Sequence, residues 1–157
     1  MNKKAITCHE TLNEAFDYQK PSAFSRGIRV DMGKQTMLFI SGTASIDENG
    51  KSIHINDFAL QTKRAYINVK KLLEAEGATW KDVVKTTVYI KDIEKNYDEF
   101  NRIRLAFFEE EGVKPYPASV GIQATLCREE LLVEMDAWAI IETPAGFKLK
   151  IVPDKSE

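Results

Sequence analysis

Apolar and polar residues alternate along several short segments of the chain, which is the pattern of half-buried β-strands. The clearest case runs from about Leu131 to Ile141. Its odd-numbered positions are apolar throughout, whereas the opposite face carries Glu134 and Asp136, because side chains in a strand alternate between two faces. Two interpretations stay open: these acids are solvated on an outer sheet face, or Glu134 lies in a pocket near Cys127.

Four other segments have strand-like patterns. The run of β-branched residues from Val83 to Ile90 is the strongest of them. Turn residues at 33–35 separate two further strand-like segments, Gly27–Met32 and Thr36–Ser41, and favour a hairpin between them. The predicted strands are Gly27–Met32, Thr36–Ser41, Val83–Ile90 and Ser119–Leu126.

Two longer segments repeat their apolar residues at helical spacing. They predict one helix from about Asn56 to Glu76 and another from about Tyr97 to Glu110. Asn56 or Asp57 can cap the start of the first helix, and Gly77 stands where a C-terminal cap belongs.

The order of strands and helices predicts the fold class. Two strands, a helix, a strand, a helix and two strands are typical of a two-layer α+β fold with both helices on one sheet face. Several strands are apolar on both faces, so the uncovered face is predicted to be the interface of a homo-oligomer. We expect one domain at residues 23–142, an N-terminal extension at 1–22 and a C-terminal tail at 143–157 with a candidate edge strand at 147–152.

Composition narrows the choice of partners. The chain has 157 residues, 43% of them hydrophobic and 29% charged, with a net charge of -2. Without a basic run or a long apolar stretch, neither nucleic acid nor a membrane is an expected partner, and a cytoplasmic location is expected. The two cysteines and two histidines lack metal-ligand spacing, so no metal or other cofactor is expected.

Several motifs resemble the RidA/YjgF family, many of whose members carry an endoribonuclease L-PSP label. They are Ser41-Gly42 after an apolar strand, the segment Asp82–Asp92, Phe100-Asn101 and the segment Val133–Ala137. The resemblance covers about residues 24–141. It implies a chorismate-mutase-like subunit, a homotrimer, and clefts between subunits that bind small carboxylates.

The resemblance also implies site positions. In deaminating members an arginine of a Pro-Ala-Arg-Ser segment holds the substrate carboxylate, since a guanidinium pairs bidentately with it. Ala118 takes that arginine's place here and Ser119 follows it, while Phe24 matches a substrate-side tyrosine. Ser41 and Glu134 match further site positions. Deamination of 2-imino acids or enamines would therefore lack its usual carboxylate-binding group.

A second resemblance covers residues 42–46 and 127–134. These segments resemble the RidA-like half of chorismatases, which cleave the enolpyruvyl ether of chorismate. It implies that Glu134 is the acid, and that a cysteine at position 127 is shared with some members. Burial can keep a carboxyl group protonated, so that it can donate to an enol ether. The chain contains only the part that resembles the second half of those enzymes.

Three functions remain open: a hydrolase or lyase acting on a small carboxylate, a non-catalytic metabolite-binding trimer, and a ribonuclease, which the negative charge disfavours. Glu134 and Cys127 are the catalytic candidates, although Cys127 can also simply shape the pocket wall. Arg26 or Arg128 can replace the missing arginine, or be a solvated surface residue. The candidate substrate-binding residues are Phe24, Arg26, Ser41, Gly42, Thr43, Ala118, Ser119 and Arg128, with Ser45 as a further hydrogen-bond donor.

Overall fold

The computed structural model describes residues 2–18 and 21–143, which form a mixed sheet and two α-helices. The strands are β1 (Asn2–Ala5), β2 (Gly27–Asp31), β3 (Gln35–Ala44), β4 (Val83–Ile90), β5 (Ala118–Gln123) and β6 (Val133–Glu142). The helices are α1 (Phe58–Glu74) and α2 (Ile93–Glu110). The predicted α+β class is confirmed. The candidate edge strand at 147–152 lies outside the described residues.

The sheet has six strands in the order β1-β2-β3-β6-β4-β5. β4 and β5 run parallel, whereas the other neighbouring pairs are antiparallel. β6 therefore lies in the middle of the sheet although it is the last strand along the described chain. This position brings side chains of β6 next to the ends of both β3 and β4.

Both helices cover the same face of the sheet, as predicted. On β6 this face carries Val133, Met135, Ala137 and Ala139, each fully buried. α1 packs on β3 and β6, and α2 packs on α1 and β4. The period-two pattern of β6 therefore separates a core face from the face that bears Glu134.

The N-terminal residues, expected as an extension, are packed into the fold in the structure. β1 pairs with β2, and Ile6 and Leu12 are fully buried in the core. The sequence shows no period here because β1 is a short edge strand whose side chains are mostly exposed. The segment after β1 thereby reaches the same end of the sheet as Glu134.

The face of the sheet opposite the helices is largely uncovered among the described residues. Trp138 is 45% exposed and packs edge-on against Phe39, with ring centroids 5.3 Å apart. β5 is exposed along its whole length, including Val120 and Ile122. The sequence predicted an uncovered apolar face of this kind.

Candidate functional site

A β-bulge in β3 creates the space for Glu134. The register between β3 and β6 shifts by one residue between Ile40 and Thr43, which places Ser41 and Gly42 in the bulge. A Cβ atom at Gly42 would overlap with Oε1 of Glu134. The missing side chain at position 42 therefore leaves the space that the end of the Glu134 side chain occupies.

Hydroxyl groups near the bulge bond to the backbone. Ser41 Oγ donates to the carbonyl of Ser25 (2.7 Å), and Thr43 Oγ1 donates to the carbonyl of Ser41 (2.8 Å). Ser45 Oγ donates to the carbonyl of Ile53 (2.9 Å). Thr43 is 1% exposed and Ser45 is fully buried. The sequence predicted that Ser41, Thr43 and Ser45 donate to a ligand, whereas in the structure the hydroxyl of each donates to a backbone carbonyl.

Glu134 lies at the edge of a cavity of about 810 Å³. Three parts of the described chain line it: residues 17–18 with 22–26, residues 42–52 and residues 127–134. We call the first part the N-terminal wall; it contributes Asp17, Tyr18, Ser22, Phe24 and Arg26. Cys127 and Arg128 belong to the third part. The structure thus places Glu134 in a pocket near Cys127, one of the two arrangements that alternation left open.

The environment of Glu134 favours its neutral form. Burial raises the pKa of the Glu134 carboxyl group, the positive charge of Arg128 acts in the opposite direction, and the charge of Asp136 raises the pKa further. The net direction is upward. Glu134 therefore keeps its proton to a higher pH than an ordinary glutamate and can act as an acid.

Arg26 is buried in the N-terminal wall and is only 3% exposed. Its Nε donates to the carbonyl of Asn13 (2.9 Å), and its guanidinium carbon lies 5.2 Å from the ring centre of Tyr18 and 5.6 Å from that of Phe24. Nη2 is buried without a hydrogen-bond partner among the described residues. Burial lowers the pKa of Arg26, the charge of Glu14 opposes this, and the charge of Arg128 adds to the lowering.

Arg128 also lies close to the ring of Tyr18. Its Nη1 donates to the carbonyl of Gly50 (2.7 Å) and to Ser52 Oγ (3.1 Å). Its guanidinium carbon lies 5.7 Å from the ring centre of Tyr18. Gly50 has a φ of +74°, and a Cβ atom there would overlap with the Tyr18 ring. Tyr18 is thus held against two guanidinium groups by a glycine that leaves room for it.

Gln61 of α1 holds the loop that carries Cys127 and Arg128 through hydrogen bonds to its backbone. Gln61 Nε2 donates to the carbonyls of Glu130 (3.0 Å) and His54 (3.2 Å), and its Oε1 accepts from the backbone N–H of Leu132 (2.8 Å). Gln61 is fully buried. A polar side chain on the apolar face of α1 therefore positions a wall of the cavity.

The cavity brings together only some of the predicted site residues. Those that line it are Phe24, Arg26, Gly42, Cys127, Arg128 and Glu134. Ala118 and Ser119 lie on β5 and do not line it; the Ser119 hydroxyl instead contacts Thr86 Oγ1 at 3.0 Å. Sequence reasoning missed Tyr18, Gly50 and Gln61. Gln61 alone left a signal, as a polar residue within an apolar helix face.

Neither a metal-binding cluster nor a membrane-spanning helix is found among the described residues. Residues 2–18 and 21–143 contain no cluster of three or more histidines, cysteines or acids suited to a metal ion. None of the helices within the same ranges is long and apolar enough to cross a membrane.

Sequence comparisons match most of this chain. The model of the endoribonuclease L-PSP family matches residues 17–141. A RutC family protein of Pyrococcus abyssi is 34% identical over 119 residues, which are 76% of this chain and 87% of that protein. The 3-aminoacrylate deaminase RutC of Acinetobacter baylyi is 28% identical over 99 residues, 63% of this chain and 75% of that enzyme.

Solved structures agree in fold. The YjgF gene product of E. coli has a TM-score of 0.70 and 28% identity, over 87% of this chain and 98% of its own. TdcF of E. coli, solved with bound serine, has a TM-score of 0.72 and 24% identity, over 88% of this chain and 98% of its own. With its sheet order, its helices and most of its length matched, the chain belongs to the RidA/YjgF superfamily, in the family described as endoribonuclease L-PSP.

Proposed function

We propose that this protein is an enzyme that binds a small carboxylate-bearing metabolite in the cavity and uses Glu134 as a general acid and base to hydrolyse or cleave it. One observation carries the proposal. A carboxyl group with a raised pKa shares a cavity with two guanidinium groups, and one of these has a buried nitrogen without a hydrogen-bond partner among residues 2–18 and 21–143. That combination suits a reaction in which an anionic substrate is held while a proton is transferred.

Arg26 is the proposed carboxylate-binding group. Its buried Nη2 has no hydrogen-bond partner in the part of the chain that the structure describes, and a carboxylate oxygen would satisfy it with a charge-assisted hydrogen bond. Arg128 adds a second positive charge, although its Nη1 is already engaged with Gly50 and Ser52. We propose that these two side chains replace the family's carboxylate-binding arginine, whose position is occupied by Ala118 here.

The proposed reaction begins with proton transfer from neutral Glu134 to the terminal carbon of an enol ether or enamine. Water then adds to the neighbouring cationic carbon, and the Glu134 carboxylate accepts a proton from that water. Collapse of the adduct releases an alcohol from an enol ether, or ammonia from an enamine, and leaves a carbonyl compound. Both reactions consume one water molecule and return Glu134 to its neutral form.

Cys127 is proposed to shape the cavity wall beside Glu134. It is a free cysteine in the lining, seven positions before Glu134 along the chain. A nucleophilic role would need a general base, whereas the described cavity lining contains no histidine. Cys127→Ala should therefore retain turnover, and loss of turnover in a folded variant would return Cys127 to the catalytic residues.

Deamination is the second candidate function. It is supported by the relative of Acinetobacter baylyi named 3-aminoacrylate deaminase, at 28% identity. An enamine requires the same carbon protonation from Glu134 as an enol ether does. The two candidates differ in the leaving group, so release of ammonia distinguishes them.

We also propose that the protein is a homotrimer with its cavities in clefts between subunits. The uncovered apolar face around Trp138 and the exposed strand β5 support an interface. Sedimentation velocity at micromolar concentration should give the mass of three chains, and a monodisperse monomer would contradict this part of the proposal.

The catalytic proposal is tested with Glu134→Gln. Binding is first measured by thermal shift with chorismate, benzoate and 2-oxobutyrate, because a ligand that binds the folded state raises the melting temperature. Turnover of chorismate and ammonia release from 2-imino acids are then compared. Glu134→Gln should lower turnover by about 100-fold or more without lowering the melting temperature.

Glu129→Gln is the matched control, since Glu129 is an exposed acid of the same loop. It should behave as the wild type. Unchanged turnover in Glu134→Gln would remove Glu134 from the mechanism. Ligand binding without any turnover by the wild type would instead favour a metabolite-binding protein.

A further inference from the structure

Unsatisfied polar atoms occur in the N-terminal wall. Among the described residues, six buried side-chain nitrogen or oxygen atoms lack a hydrogen-bond partner. Two of them belong to this wall, the hydroxyl of Tyr18 and Nη2 of Arg26, and two more are the carboxylate oxygens of Glu14, whose charge acts on Arg26 but which does not line the cavity. Such atoms are rare in folded proteins because burial without a hydrogen bond is costly. The two donors of the N-terminal wall therefore point to a ligand that completes them.

Tyr18 carries one of these two donors. The centre of its ring lies 5.2 Å from the guanidinium carbon of Arg26 and 5.7 Å from that of Arg128. The same ring rests on Gly50, where no larger residue fits, and it lines the cavity. Its location is thus fixed by three neighbours, while its hydroxyl group is bonded to none of the described residues.

We propose that the Tyr18 hydroxyl is a specificity-determining group that donates a hydrogen bond to the ligand carboxylate beside Nη2 of Arg26. This inference rests on the proposed function, since it assumes that the cavity binds a carboxylate. A carboxylate has two oxygens and can accept from a phenol and a guanidinium at once. The N-terminal wall would then offer one neutral and one charged donor to the same group.

A comparison of Tyr18 with Phe24 isolates the contribution of the Tyr18 hydroxyl. Its ring packs on the same guanidinium of Arg26, at 5.6 Å, but carries no polar atom. Both rings can orient Arg26, whereas Tyr18 alone can also donate to a ligand. Replacing Tyr18 by phenylalanine keeps the packing and removes only the donor.

A ligand-binding role and a structural role predict different results for Tyr18→Phe. The hydroxyl is buried and has no hydrogen-bond partner among the described residues, so removing it should leave the melting temperature unchanged or raise it. A ligand hydrogen bond would be lost at the same time. Affinity should therefore fall while stability does not, a combination that a structural role would not produce.

The experiment is calorimetric titration of the full chain with benzoate, 2-oxobutyrate and chorismate. Tyr18→Phe should raise the Kd of the probe that binds by about three- to tenfold. Tyr97→Phe is the matched control, because Tyr97 is an exposed tyrosine of α2 outside the cavity lining. It should bind the same probe as the wild type does.

Arg26→Met, with Arg26→Lys as a milder second variant, distinguishes failure of the proposed role of Tyr18 from failure of the proposed function. Loss of binding in a folded Arg26 variant together with wild-type affinity in Tyr18→Phe would overturn the role of Tyr18 and leave the proposed function intact. Wild-type affinity in both Arg26 variants, or no binding of any probe by the wild type, would overturn the proposed function. A lower melting temperature of Tyr18→Phe with unchanged Kd would show a structural hydroxyl.

Discussion

The carboxyl group of Glu134 occupies the space that a side chain at Gly42 would fill. A Cβ atom at position 42 would overlap with Oε1 and would lie 3.1 Å from Cδ of Glu134. The two residues meet because the bulge in β3 turns Gly42 toward β6. Residue 42 therefore decides where the acid of the cavity lies, without providing any chemistry itself.

Gly42→Ala should displace Glu134 from the cavity. We expect a loss of turnover close to that of Glu134→Gln, and a loss of stability of about 1 kcal/mol, at the low end for overpacking because the overlapping Oε1 is the end of a flexible side chain that can move aside. Turnover assays and urea unfolding measure the two effects.

The cause of that loss can be tested with Glu134→Ala, which removes the overlapping carboxyl group. In the Glu134→Ala background, Gly42→Ala should cost much less stability than in the wild type. Equal costs in both backgrounds would mean that the alanine at position 42 strains the bulge backbone instead.

The pH dependence of stability should report the raised pKa of Glu134. A group whose pKa is higher in the folded than in the unfolded state contributes stability at low pH, and this contribution is lost as pH rises through the folded-state pKa. Glu134→Gln should therefore match the wild type near about pH 4 and become relatively more stable toward about pH 8.

Melting temperatures across this range measure the difference between the two proteins. Arg128→Met should move the change to higher pH, because the positive charge of Arg128 lowers the pKa of Glu134. A difference between Glu134→Gln and the wild type that is independent of pH would argue against a raised pKa.

Arg26 and Glu14 should be energetically coupled. Glu14 is fully buried, neither of its oxygens has a partner among the described residues, and its charge acts on Arg26. Arg26→Met should destabilise the fold by about 3 kcal/mol, because Glu14 would be left buried without a countercharge. Adding Glu14→Gln should restore part of this loss.

Urea unfolding of both single variants and the double variant gives the coupling energy. Arg102→Met is the control, since the ion pair of Arg102 with Glu99 is exposed and should contribute little. Strict additivity of the two changes would show that the charges of Arg26 and Glu14 do not interact.

Gln61→Leu should weaken both the fold and the cavity. It leaves two backbone carbonyls and the N–H group of Leu132 without their partner, at a cost of about 2 kcal/mol or more. Because the loop at 127–132 would loosen, affinity for a carboxylate ligand should fall as well. Lys63→Leu, at an exposed position of α1, should change neither quantity by much. A full loss of stability without any effect on affinity would show that the loop does not need Gln61 to hold its shape.

The sequence predicted elements that bury one face. β4 begins and ends where the β-branched run does, and β6 alternates as expected, because packing against the helices selects apolar residues at every second position. A helix start that depends on a contact from another element was placed too late. α2 starts at Ile93 rather than at about Tyr97, because Gln123 of β5 accepts from the first N–H group of the helix at 2.6 Å.

The site was only partly predictable for the same reason. Glu134, Gly42 and Arg128 lie in segments with a recognisable pattern, whereas Tyr18 lies in a stretch that has none. Its role depends on Arg26, Gly50 and Arg128, which converge on it from three separate parts of the chain. A local hydrophobicity pattern cannot predict contacts between residues so far apart in the chain, so these contacts are seen only in the folded structure.

The central position of β6 has a consequence for synthesis on the ribosome. β3 and β4 are translated well before β6, yet each pairs with β6 in the finished sheet. Until β6 emerges, both strands present unpaired edges and apolar side chains to solvent or to a chaperone. The nascent chain is therefore expected to be most prone to aggregation just before β6 is made, and translation pauses within residues 118–133 would prolong that interval.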